Sequence, residues 1–311
     1  MRIYQKRDFK TEYRCVVALG CFDGVHLGHR AVIERAALTA REIGAHSAVF
    51  SFSSSPKNFF KANSAPMITD FEERSELISK LGIDIFVCYP FDAETANMLP
   101  SEFFEDILVS RLGAIHIVCG FNYTFGKGGK GNIDTLRALC SEHGIGFTPL
   151  PPVEIDGATV SSSVIRSALE AGDIEKAERF LGRPYKITSA VLNGQHLARR
   201  LGFPTVNQVL SSDVILPKNG VYLSRVTACG KKYFGITNIG TRPTVESGLL
   251  CAETHIFDFD RDVYGETISV EPLRYMRSEV RFSSIDALSE KVAEDITAAK
   301  AMILEYYAKK V

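Results

Sequence analysis

No apolar run in this 311-residue chain approaches the roughly 18 consecutive residues that a membrane-spanning helix needs. The amino-terminal MRIYQKRDFK lacks the apolar core of a secretion signal, so neither export nor membrane insertion is expected. An excess of charge of one sign is missing too: 36 Lys and Arg face 37 Asp and Glu, a formal net charge of −1. Without a broad basic field, neither nucleic acid nor an anionic membrane surface is an expected partner. A small nucleotide stays open, because it asks only for a local cluster of donors. The seven cysteines are scattered, several in apolar runs, and no CxxC occurs. That leaves no zinc ribbon and no thioredoxin-like redox pair, and points to reduced, mostly buried thiols in a cytoplasmic protein. Internal repeats and low-complexity tracts are absent as well.

What is present is ordinary globular composition, 45% hydrophobic and 23% charged, long enough for two cores as readily as one. Up to about residue 182 short apolar runs alternate with helical patterns. CVVALG, HSAVFSF, IDIFVCY, AIHIVCG and IGFTPL read as strands buried on both faces. Helices are expected near 27–43, 70–81, 100–112 and 133–143, with a Thr69/Glu72 capping box opening the second. Gly44, Gly82, Gly113 and Gly144 stand where each helix must turn into the next strand. This rhythm means an α/β domain with a parallel, doubly wound sheet. After Leu181-Gly182-Arg183-Pro184 the texture becomes mainly β, with strands separated by glycine-rich turns, a small barrel or sandwich. A long amphipathic helix from about Ser283 to Lys309 ends the chain. The expected domains are therefore 1–183 and 184–311.

The first candidate site is LGCFDGVHLGHRAVI, residues 19–33, which follows the first strand and opens a helix. In an open α/β sheet, ligands lie over the carboxyl edge of the strands, where helix N-termini favour anions. Gly20 and Gly24 let backbone approach a phosphate, and His26 and His29 can offer N–H donors to its oxygens. A capping histidine and a core histidine would read the same way. A zinc site lacks its remaining ligands. Gly126-Lys127-Gly128-Gly129-Lys130-Gly131 matches GxGxxG in letters alone: it does not follow the first strand, and no acidic residue ends a strand about twenty residues on. A P-loop would need Lys and Ser/Thr where Asn132 and Ile133 stand. It is read as a basic substrate loop before a helix capped by Asn132. Ser161-Ser162-Ser163 reads as a helix N-cap, and with Arg166 could hold a second phosphate.

In the second half, Thr205 and Asn207 of RRLGFPTVN share one face of an extended strand and could bind a hard cation through oxygen. Glu253 and His255 share a face in AETHIFDFD, and a lone carboxylate in an apolar strand can serve as a general base. A solvated strand face and a salt-bridged glutamate are the plain alternatives.

The string G-x-F-D-G-V-H-x-G-H resembles the nucleotide signature of nucleotidylyltransferases, in the form found in bacterial bifunctional riboflavin kinase/FAD synthetases. FNYTFGKGGKGN and SSSVIR resemble that family's further elements. GFPTVN, GVY, GITNIGTRPTV, ETHIFDFDRDVYG and LRYMRSEVRF follow in the order of its kinase domain. The resemblance implies a Rossmann-like nucleotidylyltransferase domain followed by a riboflavin-kinase β-barrel, with riboflavin and ATP giving FMN, then FMN and ATP giving FAD and pyrophosphate. It implies His26 and His29 on the ATP phosphates, with Gly20, Phe22, Asp23, Gly24, Asn122, Ser162, Ser163 and Arg166 around the nucleotide and flavin. In the kinase half it implies Mg²⁺ on Thr205 and Asn207, Glu253 as base, and Arg199, Gly202, Phe203, Pro204 and Arg277 as binding residues. Ser53-Ser54-Ser55-Pro56 and Thr124 depart from the family where it carries an acid, a histidine and an arginine. Ala198 and Val206 are smaller departures. A kinase with a degenerate adenylyltransferase domain is the alternative, and a non-catalytic flavin-binding regulatory protein the rival of another class. A homo-oligomer is compatible with the sequence.

Overall fold

Alternate residues of the strand Cys15–Leu19 feed two different cores, which is why that stretch carries no polar residue. Cys15, Val17 and Leu19 pack with Phe50, Val87 and Ile117 on one side of the sheet. Val16 and Ala18 pack with Ile33, Val49 and Phe86 on the other. A strand covered on both faces has no water-facing side to mark. The computed structural model describes the chain except for residues 55, 60–64, 193–201, 242–249 and 309–311. Its first sheet comprises β1 (Arg2–Tyr4), β2 (Cys15–Leu19), β3 (His46–Phe52), β4 (Ile85–Tyr89), β5 (Ala114–Gly120) and β6 (Gly146–Leu150). All pair in parallel, in the order β1-β4-β3-β2-β5-β6.

The intervening helices are α1 (Leu27–Glu42), α2 (Phe71–Lys80), a π-helical stretch Phe103–Arg111 and α3 (Ile133–Glu142). Gly44, Gly82, Gly113 and Gly144 all have φ between +65° and +76°, the left-handed turn that stops each helix. Strand β1 and the short helix Ala93–Asn97 add to the expected elements. The expected capping box is not formed. Asp70 caps α2, accepting from Glu73 N at 2.7 Å, because the Thr69 hydroxyl is taken by Gly24 N at 3.1 Å. A small ribbon, β7 (Glu154–Ile155) and β8 (Ala158–Thr159), follows the sheet.

Six antiparallel strands close the barrel: β9 (Ile187–Leu192), β10 (Val206–Val209), β11 (Gly220–Ala228), β12 (Lys231–Thr241), β13 (Leu250–Ile256) and β14 (Thr267–Arg277). Their order is β10-β13-β12-β11-β14-β9, and β9 pairs back onto β10. Barrel, not sandwich, is therefore the architecture. Buried polar groups pair on its inward side: Thr237 and Thr254 share a hydrogen bond of 3.0 Å, and Gln208 Nε2 donates to the Ser189 and Ile268 carbonyls. Helices α4 (Ser162–Ala171) and α5 (Ile174–Leu181) precede the barrel, and α6 (Ile285–Ala308) follows it. Val292, Ile296, Ala299 and Ile303 of α6 pack on Val221, Leu223, Ile236 and Leu273. Ile285, expected on the same apolar stripe, is exposed. The compact units are Met1–Ser163 with Asp213–Ile215, and Val164–Ser212 with Leu216–Val311. Helix α5 thus packs with the barrel, burying Ile174, Ala177, Phe180 and Leu181.

Candidate active sites

Strand order in the first sheet reverses at β2, whose neighbours are β3 on one side and β5 on the other. Ligand crevices of open α/β sheets lie at such a switch point, outside the carboxyl ends of the strands. The 20–26 loop leaves β2 there, and the turn carrying exposed Asn122 leaves β5 beside it. The loop is bent hard. Phe22 and Val25 have φ of +48° and +39°, unusual for side chains of that bulk, and Gly24 lies at +79°. Anchors hold it in that shape. The buried Asp23 carboxylate accepts from Ile68 N at 2.7 Å and Thr69 N at 3.4 Å. Ser51 Oγ donates to Cys21 O at 2.7 Å, and Ser162 Oγ to Asp23 O at 3.1 Å. A Cβ at Gly20 would stand 2.8 Å from the Phe22 ring, and one at Gly24 2.9 Å from Ile68.

His26 caps α1, its Nδ1 accepting from His29 N at 3.2 Å. That bond puts the imidazole proton on Nε2, ready to donate. The two rings stack at 3.5 Å, 15° from parallel. Burial holds the His29 pKa well below the ordinary histidine value, and the His26 imidazole and Arg74 guanidinium push it the same way. His29 therefore stays neutral, with a buried Nδ1 that has no partner among the described residues. Sequence reasoning missed Arg74. It is 2% exposed, donates to Cys21 O at 3.4 Å and to Cys88 Sγ at 3.3 Å, and lies over the Phe86 ring. The signal was its position on the buried stripe of α2, with Ser75 and Ile78, where a charge breaks the pattern. Ser163 is exposed and Arg166, one turn into α4, is half-buried within the second unit. The 126–131 segment makes a tight turn, closed by paired backbone bonds between Phe125 and Gly131. Asn132 caps α3 as expected, accepting from Asp134 N and Thr135 N at 3.0 Å.

On the barrel, Asn207 of β10 stands directly opposite Glu253 of β13, so their side chains share the outer face. Thr205, two residues before Asn207, lies at the mouth of the same edge. A cleft of about 370 Å³ opens there, lined by Thr205 and Asn207 and by Asp260, Arg261 and Asp262 from the segment after β13. His255 fixes this edge: its Nδ1 lies 2.9 Å from Pro204 O and its ring meets Phe203 edge-on. Gly202 takes φ of +84° just before. Arg199 and Ala198 lie outside the described residues.

Residues 8–164 match the family model described as FAD synthetase, and residues 181–303 the one described as riboflavin kinase. A "bifunctional riboflavin kinase/FMN adenylyltransferase" of Pseudomonas fluorescens is 37% identical over 95% of each chain. The chain belongs to the bifunctional riboflavin kinase/FMN adenylyltransferase family. A relative of that name from Bacillus subtilis is 36% identical over 92% of each chain. A crystal structure from Streptococcus pneumoniae, described as a macrolide-efflux protein, superposes with a TM-score of 0.87 at 29% identity, covering 96% of this chain and 99% of that one. That likeness speaks to fold. Among the described residues of this chain, no helix is long and apolar enough to cross a membrane.

In this member of the family Arg277 is engaged internally. Its Nε and Nη2 grip the buried Asp295 carboxylate of α6 at 2.6–3.0 Å, and Nη1 donates to Ser278 O at 2.9 Å. These bonds tie the last barrel strand to the terminal helix. Asn238 of β12, which sequence reasoning also missed, stands opposite Glu253 on its other side.

Proposed function

We propose that the two halves divide flavin-cofactor synthesis between them: residues 184–311 carry the kinase chemistry and residues 1–183 the adenylyl transfer. In the first reaction the ribityl hydroxyl of riboflavin attacks the γ-phosphorus of ATP, giving FMN and ADP. In the second, the FMN phosphate attacks the α-phosphorus of another ATP, giving FAD and pyrophosphate. The observation that carries the kinase assignment is the pairing of Glu253 with Asn207 across β10 and β13. It sets a carboxylate opposite Asn207, which lines the cleft together with Thr205. Glu253 takes the hydroxyl proton as the oxygen attacks. Phosphoryl transfer otherwise asks mainly for positioning and charge neutralisation, so no P-loop is needed.

Thr205 and Asn207 offer hard hydroxyl and amide oxygens, a donor set that suits Mg²⁺, which keeps several waters and leans on substrate phosphates. Among the described residues no group of three His, Cys, Asp or Glu could hold a metal, so a cation here would share the phosphates' oxygens. Bound there, Mg²⁺ would neutralise phosphate charge. In the other half, His26 Nε2 and neutral His29 donate N–H to phosphate oxygens above the start of α1, and Asp23 keeps the loop in the shape that lets them. The reduced cytoplasm is the proposed location, in keeping with seven cysteines that form no disulfide.

The deciding assay incubates the full-length protein with riboflavin, ATP and Mg²⁺ and separates FMN from FAD over time. FMN first and FAD after it supports the whole reading. FMN that never becomes FAD would leave a kinase whose Ser53–Ser55 departures have silenced the other half.

A further inference from the structure

We propose that Asn238 is a substrate-positioning residue of the kinase site, whose amide oxygen accepts a hydrogen bond from a hydroxyl of the flavin's polyol chain. The inference rests on reading Glu253 as the base that meets the terminal hydroxyl.

Its first support is register. Asn207, Glu253 and Asn238 lie opposite one another across β10, β13 and β12, so three polar side chains form one row on the outer face. The row continues through Val221 to Arg277, where apolar packing and the Asp295 pair take over. Asn238 is thus the last polar group of the row before the region covered by α6.

Its second support is orientation. Asn238 Nδ2 donates to Glu279 Oε1 at 3.3 Å. A carboxylate accepts and the amide oxygen cannot donate, so the nitrogen must face Glu279 and Oδ1 must face the other way. Gly240, two residues along the same strand face, makes room for this: a Cβ there would run into the Glu279 carboxylate. With its nitrogen so committed, Oδ1 is buried and has no partner among the described residues. Native proteins leave few buried acceptors unpaired, and those that remain call for a reason such as an absent ligand.

The chemistry of the missing donor follows from the neighbour. Adjacent strands lie about 4.8 Å apart, a span bridged by hydroxyls a few carbons apart on one chain. A polyol whose terminal hydroxyl meets Glu253 can bring an earlier hydroxyl to Asn238 Oδ1. Such a bond would fix how far along the row the chain is drawn, and so which hydroxyl reaches the carboxylate.

The experiment uses the full-length protein and compares riboflavin with lumiflavin, the same ring system without the hydroxylated chain. Binding of each is read by flavin fluorescence, and kinase kinetics with riboflavin are measured in parallel. N238A and the near-isosteric N238L should weaken riboflavin roughly three- to tenfold, the worth of one neutral hydrogen bond, in both Kd and KM. Lumiflavin affinity and the KM for ATP should stay within about twofold. N238S, which keeps a hydroxyl acceptor, should recover part of the loss. Having two apolar variants keeps the comparison alive if one of them does not fold. Equal weakening of riboflavin and lumiflavin would overturn the proposal, since Asn238 would then shape the barrel or the ring site. Unchanged riboflavin binding would overturn it too, leaving Oδ1 a buried acceptor that takes no bond from the flavin. E253Q is assayed alongside: if it retains turnover, the base assignment fails on its own, whatever the ratio at Asn238 says.

Discussion

At the scale of single residues, both sites depend on groups whose polar atoms are already half committed. His26 spends one nitrogen on the backbone of His29 and so presents the other as a donor. Replacing His29 by Ala in the full-length protein should suppress FAD formation by about 2–4 kcal/mol of transition-state stabilisation, while FMN formation is spared. Loss of both activities in a folded protein would show that the two reactions share a site. Glu253→Gln should cut FMN formation roughly 10²- to 10⁴-fold, the usual worth of general-base catalysis, with riboflavin still bound. A variant within about threefold of wild type would sink that assignment. Asn207→Ala removes one of the two proposed oxygen ligands, and the Mg²⁺ concentration for half-maximal kinase activity should rise. An unchanged requirement would make Thr205 and Asn207 a plain strand face.

At the scale of elements, the tie between β14 and α6 carries its own expectation. The Arg277–Asp295 pair is mostly buried and bidentate, 19% and 7% exposed on its two sides. Removing one partner strands the other, so Arg277→Ala or Asp295→Ala should each cost roughly 3–5 kcal/mol in denaturant unfolding. Arg277→Met with Asp295→Leu together should lie much closer to wild type. The same elements show what could be read beforehand. Strands such as Cys15–Leu19 were legible because burial on both faces leaves an unbroken apolar run. The Thr69 cap was misread because a hydroxyl that looks local in sequence binds Gly24, whose approach only the folded loop creates. Strand texture alone left barrel or sandwich open, since closure turns on β9 meeting both β10 and β14, and it was the family resemblance that pointed to the barrel. The motif residues at both sites could be named one by one. The row that adds Asn238 could not, because it exists only once three strands are in register.

At the scale of the whole molecule, the sequence texture changes near residue 183, yet the second compact unit begins at Val164. A fragment starting near residue 160 should phosphorylate riboflavin and never make FAD. One starting at residue 184 loses α5, whose Ile174, Phe180 and Leu181 are buried. It should be less stable by several kcal/mol, at about 1.5–3 kcal/mol for each large apolar side chain, and thermal melts of the two fragments would measure the difference. The closed ring of strands has one more consequence. A slip of one residue between β10 and β13 would turn Asn207 to the opposite face from Glu253, and the ring could close only if another ladder slipped to match. Misregistered molecules would therefore be silent as kinases and not merely slow. Kinase specific activity of a refolded sample then counts correctly threaded barrels.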